Sequence, residues 1–93
     1  MNKFTIRVEL YGEPSAEVYK RLHAAMQVKG FNRFISENGI NYETPHAEYI
    51  AEFNSTALMV KNLVATIVPA IWAKFGLLVT QGTVLEIHNL IRA

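Results

Sequence analysis

Eight consecutive residues near the start of the chain, Phe4 to Tyr11, alternate apolar and polar without exception. Phe4, Ile6, Val8 and Leu10 fall on one side, and Thr5, Arg7, Glu9 and Tyr11 on the other. Successive side chains of a strand point to opposite faces, so a strict period of two predicts a half-buried strand with one face on a core and one face open. The period then changes at once. Gly12-Glu13-Pro14-Ser15 reads as a turn into a helix, with Pro near the first turn and Ser15 as its cap. From Ser15 to Gly30 the apolar residues Val18, Leu22, Ala25 and Met26 share one stripe at helical spacing. Glu17 sits in the first turn, where the helix dipole favours an anion, and Lys29-Gly30 closes the helix. This phase puts Lys20, His23 and Gln27 opposite the core, with Tyr19 and Arg21 on the flanks.

The same sequence of periods then recurs. Phe31–Ile35 re-enters the sheet, giving a second strand at about Arg33–Ser36 that resumes at Ile40–Glu43. The Asn38-Gly39 pair between them is a hairpin tip or a bulge. After a break at Thr44-Pro45-His46, residues Glu48 to Phe53 alternate, with Tyr49, Ala51 and Phe53 set against Glu48, Ile50 and Glu52. Asn54, Ser55 and Thr56 are capping candidates for a second helix with a core stripe of Val60, Leu63, Val64, Ile67 and Ile71. Pro69 should end or kink it. Leu77–Thr80 and Thr83–Ile91 form either a hairpin or one irregular last strand, so an extra C-terminal strand stays open. The order predicts an α+β, ferredoxin-like βαββαβ sandwich as a single domain, residues 1–93, with two helices on one face of an antiparallel sheet. Its open face would carry Thr5, Arg7, Glu9, Tyr11, Glu48, Ile50 and Glu52, and a one-residue slip in the third strand would invert its part of that set.

Composition narrows the chemistry. With 93 residues, 51% of them hydrophobic, one packed core is within reach. Cysteine is absent, which excludes disulfides and thiolate metal sites and fits a reducing compartment; the expected location is cytoplasmic. The alternating opening is unlike a signal peptide. The apolar-rich run Ala57–Phe75 contains Lys61, Asn62, Thr66, Pro69 and Lys74, so it reads as a buried helix and no membrane insertion is expected. The formal net charge of +1 predicts no strong affinity for nucleic acid by itself. The charge is segregated, however: residues 1–33 carry six basic and three acidic side chains, whereas residues 34–60 carry four glutamates and no Lys or Arg.

His23, His46 and His88 lack helical i, i+4 spacing and thiolate partners, so no metal site is expected. The chain has no aspartate, which counts against a metal-dependent nuclease. A metal-free ribonuclease needs a base for the 2′-hydroxyl and cations for the phosphate, and Arg7, Tyr11, Lys20, Arg21 and His23 are the right chemical types. No P-loop, dinucleotide fingerprint, nucleophile elbow or zinc-protease motif occurs, and no cofactor is expected. The aromatic signature of sheet-type RNA-binding modules is also missing. The apolar excess of Ala57–Trp72 points to self-association through a homodimer.

Val18-Tyr19-Lys20-Arg21-Leu22-His23-Ala24-Ala25-Met26 with its Phe-centred turn, Glu37-Asn38-Gly39-Ile40, and Tyr49-Ile50 opening the third strand together resemble GhoS-type antitoxins over roughly Thr5–Leu63. The resemblance implies a small ferredoxin-like endoribonuclease that cleaves the messenger RNA of a membrane-acting toxin. The family's first helix carries an Arg-x-Arg pair; Arg21 matches its first member and His23 stands in place of the second. An acidic residue near the end of the first strand corresponds, with a one-residue gap, to Glu9. The resulting expectation is an antitoxin-like RNA-binding regulator. Its catalytic set would be His23, Arg21 and Glu9, and Arg7, Lys20, Tyr11 and Gln27 would hold RNA. The alternative is a non-catalytic homodimeric interaction module in which the basic first helix meets the acidic Glu43–Glu52 segment of a second copy. A small-molecule-binding domain is third, since one architecture hosts many functions.

Overall fold

A computed structural model of the chain describes residues 2–82 and Arg92. Strand β1 (Asn2–Leu10) is the centre of a three-stranded antiparallel sheet, flanked by β4 (Glu48–Phe53) and β5 (Phe75–Gln81). The alternation of β1 is realised as read: Phe4, Ile6, Val8 and Leu10 are buried, and Arg7 and Glu9 are exposed. Burying each of these large side chains is worth about 1.5–3 kcal/mol, which is why β1 can hold only one phase. In β4, Tyr49 and Ala51 are buried beside Phe4 and Ile6. Cross-strand partners on the open face pair by charge. Arg7 stands opposite Glu48, Nε to Oε1 3.2 Å, and Lys3 opposite Glu52 at 3.8 Å.

Helix α1 (Ala16–Val28) starts at Ser15, whose side chain accepts from the Val18 amide, and it buries Leu22 and Met26 against the sheet. Helix α2 (Ala57–Ile67) is capped by Thr56 and buries Val60, Val64 and Ile67 in the same core. Both helices therefore cover the apolar face of the sheet. Pro69 has no amide to donate, and the chain tightens into a 3₁₀ turn over Val68–Ala70. Two stripe positions differ from the expected set. Val68 is fully buried, whereas Leu63 is 37% exposed, because the buried side of α2 is centred on 60, 64, 67 and 68. The expectation that this helix is buried on most sides needs correcting too: Leu58 and Met59 are 63% and 60% exposed.

Between the βαβ halves, β2 (Phe34–Glu37) and β3 (Ile40–Glu43) form a hairpin with Phe34 opposite Glu43. Asn38 and Gly39 both have positive φ, 52° and 78°, so Asn-Gly is the tip of a tight primed turn and not a bulge. The hairpin joins the main sheet where Asn32 and Ile50 exchange both backbone hydrogen bonds, at 2.8 and 2.7 Å. The observed order is βαβββαβ, with the β2–β3 hairpin standing where the expected βαββαβ pattern has its second strand; with antiparallel sheets and helices on one face it is consistent with the ferredoxin-like sandwich. The last expected element falls partly outside the described residues: β5 is in place, but Thr83–Ile91 is not described, and at Arg92 the chain bridges to Tyr42 of β3. Among the described residues no helix is long and apolar enough to cross a membrane.

Candidate functional site

The residues expected to act together lie on different surfaces. Arg7, Glu9 and Tyr11 are on the open face of the sheet, where with Gly76 and Leu78 they line a groove of about 290 Å³. The groove exists because position 76 has no side chain: a Cβ there would come within 2.6 Å of the Tyr11 hydroxyl. Lys20, Arg21 and Gln27 are exposed on α1, behind the covered face. Arg21 is about 160° around the helix from His23 at 100° per residue, so the two do not share a surface. The set His23, Arg21 and Glu9 is thus not assembled around one point.

His23 itself is not on the solvated face that the periodicity suggested. It is half-buried, and its Nδ1 lies 2.6 Å from the hydroxyl of Tyr49. Tyr49 is fully buried on β4, and a buried phenol that cannot reach water must donate its proton to some acceptor. His23 Nδ1 is that acceptor, so the Tyr49 O–H donates to it and Nε2 carries the imidazole hydrogen. Burial holds the His23 pKa down at about 4, and the electrostatic influence of the neighbouring Arg33, then of His46, adds to the effect. Burial pushes the Tyr49 hydroxyl well above its usual range, an effect that Arg33 partly opposes and Tyr19 adds to. At neutral pH the pair is therefore an uncharged phenol and an uncharged imidazole that offers an N–H.

Two surfaces meet at this pair. On one side, the His46 ring packs on Tyr19 with centroids 4.1 Å apart and stands edge-on to His23 at 6.1 Å. His46 and Tyr19 line a cleft of about 390 Å³ together with Arg7 and Glu9, so they connect the helix side to the open sheet face. On the other side, His23 and Gln27 of α1 face Asn32 and Arg33, which lead into the hairpin, and Phe34 and Glu43 within it, across a cleft of about 230 Å³. Arg33 Nη2 donates to the Thr44 carbonyl at 3.2 Å, while its buried Nε has no partner. The ion pairs among the described residues are Lys3–Glu52 and Arg7–Glu48, so Arg33 and Glu43 share the cleft without pairing. Phe34 keeps 40% of its surface exposed at the lip.

Arg33, Phe34, Tyr49 and His46 were not among the sequence candidates. Tyr49 was read as an inward residue, and an inward tyrosine needs an acceptor; the half-turn of α1 facing β4 was the place to look for one. Arg33 and Phe34 become site residues only through the path of the hairpin, which local periodicity does not encode. Among the described residues no group of three or more His, Cys, Asp or Glu side chains is placed to hold a metal ion. No family model matches the chain, and no curated protein matches it.

Proposed function

We propose that this chain is an RNA-binding regulator of the antitoxin-like kind. It would take single-stranded RNA at the cleft between α1 and the β2–β3 hairpin. One observation carries the reading: the cleft gathers a surface aromatic ring, Phe34, two amides, Gln27 and Asn32, and a guanidinium, Arg33, that forms no ion pair among the described residues although Glu43 lines the same cleft. Single-stranded RNA is held by stacking splayed bases on aromatic rings, by hydrogen bonds to base edges and by cations near phosphate. Lys20 lies one turn before His23 on the exposed side of α1 and supplies a cation next to the cleft. The open sheet face is the weaker candidate, because Glu48 and Glu52 already neutralise Arg7 and Lys3 there.

Cleavage, which the resemblance also implies, makes a further demand. The base that takes the 2′-hydroxyl proton must have a free ring nitrogen. His23 offers an N–H at Nε2 and has Nδ1 occupied, so the exposed His46 beside Tyr19 and Arg7 is the better-placed proton acceptor. His23 then acts as a hydrogen-bond donor. The test is a gel-shift and cleavage assay on single-stranded RNA at low salt in EDTA, using wild type, Lys20→Ala, Phe34→Ala and His46→Ala. The reading expects a shift that Lys20→Ala and Phe34→Ala weaken, and any cleavage to be lost in His46→Ala. A folded wild type that produces no shift refutes it.

A second reading, the homodimeric interaction module, is favoured by the exposed Leu58, Met59 and Leu63 on one side of α2. Light scattering across a concentration series, with Leu58→Lys/Met59→Lys as the comparison, tests it. It expects a dimer that the double variant dissociates.

A further inference from the structure

We infer that the cleft between α1 and the hairpin is a guanine subsite; this rests on the RNA-binding reading above and names the base that the site selects. The cleft volume of about 230 Å³ is below the roughly 300 Å³ at which drug-sized pockets begin, so its size suits one flat heterocycle with its sugar and phosphate outside. Its polar lining is chemically mixed. Glu43 brings an acceptor-only carboxylate, Arg33 a donor-only guanidinium, and the two are not paired with each other or with another charged side chain among the described residues. A phosphate would meet Arg33 but be repelled by Glu43. Two unpaired charges of opposite sign beside an exposed ring instead suit a planar ligand with donors on one edge and acceptors on another.

Among the RNA bases that description fits guanine. Its Watson–Crick edge carries two adjacent donors, N1–H and the N2 amino group, which a carboxylate can accept together. Its other edge carries the O6 and N7 acceptors that a guanidinium meets in parallel. Adenine and cytosine each offer an amino donor beside an unprotonated ring nitrogen, so a carboxylate gains one hydrogen bond and faces a lone pair. Uracil offers one imino donor between two carbonyls. The hairpin register supports the arrangement. Phe34 and Glu43 are directly opposed partners of an antiparallel pair, so their side chains leave the same face of the ribbon as neighbours. A base lying on the Phe34 ring therefore has the Glu43 carboxylate at its edge. Gln27 and Asn32 line the remaining rim, and Lys20, outside the cleft, is left for the flanking phosphate.

The experiment is fluorescence anisotropy with labelled octauridylate and with the same octamer carrying one central guanosine, adenosine or cytidine. Wild type should bind the guanosine octamer about tenfold more tightly than the other three, which is the discrimination of one good bidentate contact. Glu43→Gln keeps the size of the side chain and loses one acceptor. It should bring the guanosine octamer to the level of the others while leaving their affinities within about twofold. Phe34→Leu should weaken all four octamers together, because stacking is indifferent to base identity. Equal wild-type affinity for all four octamers, or a guanosine preference that survives in Glu43→Gln, overturns the guanine subsite and leaves the RNA-binding reading intact. Absence of binding to every octamer by folded wild type overturns both. Circular dichroism melting of Glu43→Gln and Phe34→Leu controls for folding, and Glu43→Ala serves as the second carboxylate variant, with the same loss of preference expected.

Discussion

Acidification should destabilise this protein through His23 before it disturbs the rest of the core. The ring accepts from the buried Tyr49 hydroxyl, and its surroundings are hostile to charge: Arg33 precedes β2, His46 lies in the β3–β4 loop, and Tyr19 is one turn earlier on α1. Glu43, across the cleft, is the one carboxylate among the described residues that lines the same space. The His23 pKa is about 4 in the fold, against an ordinary value of 6.5. Because the folded value is depressed, the unfolded chain takes up a proton first, and stability falls as pH drops from 6.5 to about 4, then levels off. At about 1.4 kcal/mol per unit, the full gap would amount to roughly 3 kcal/mol. The ring is partly open to water, and solvent screening reduces this to about 1.5 kcal/mol. Urea unfolding followed by far-ultraviolet circular dichroism at pH 7, 5.5 and 4 measures it, with His23→Gln as the reference. Gln still accepts from Tyr49 but does not titrate, so the contributions of glutamates cancel in the comparison. Wild type should lose about 1.5 kcal/mol more than His23→Gln between pH 7 and 4. Parallel stability curves, or an NMR titration of His23 centred near 6.5, would refute the reasoning.

Helix substitutions should separate the buried and exposed apolar positions. Met26→Ala, at a fully buried site, should cost about 2–5 kcal/mol in urea unfolding. Leu63→Ala, at a site 37% exposed, should cost well under half as much, and equal costs would contradict the packing of α2. Gly39→Ala places a Cβ at φ 78° in the hairpin tip and should cost about 1 kcal/mol by thermal unfolding. A double-mutant cycle on Arg7 and Glu48 should give a coupling below about 1 kcal/mol that fades in high salt, because Arg7 is largely exposed.

The strands were legible wherever one face had to be buried. Phe4–Tyr11 and Glu48–Phe53 encode their register in alternation, and each has the phase that its pattern demanded. Caps were legible for the same local reason: Ser15 and Thr56 receive the amides three residues on. Helix α2 was less legible because nearly every side of it is apolar. Periodicity then cannot rank Leu63 against Val68, and the side of the helix that meets the sheet, centred on Val60 and Val64, decides between them. His23 marks the limit at the site. Helical angle placed it with Lys20 and Gln27, but a buried Tyr49 from a strand twenty-six residues away required an acceptor and drew the ring inward. Arg33 and Phe34 depend on how a four-residue strand pair folds back on α1, which is a tertiary fact with no local signature.

The most direct test of single-strand RNA binding at this cleft is anisotropy of a labelled single-stranded oligoribonucleotide over a series of salt concentrations. Wild type and Lys20→Ala would be compared. The account predicts binding at low salt that weakens linearly on a logarithmic plot, with a slope shallower by about 0.7 in Lys20→Ala for the one phosphate contact removed. Absence of binding by folded protein, or an unchanged slope in Lys20→Ala, would contradict it.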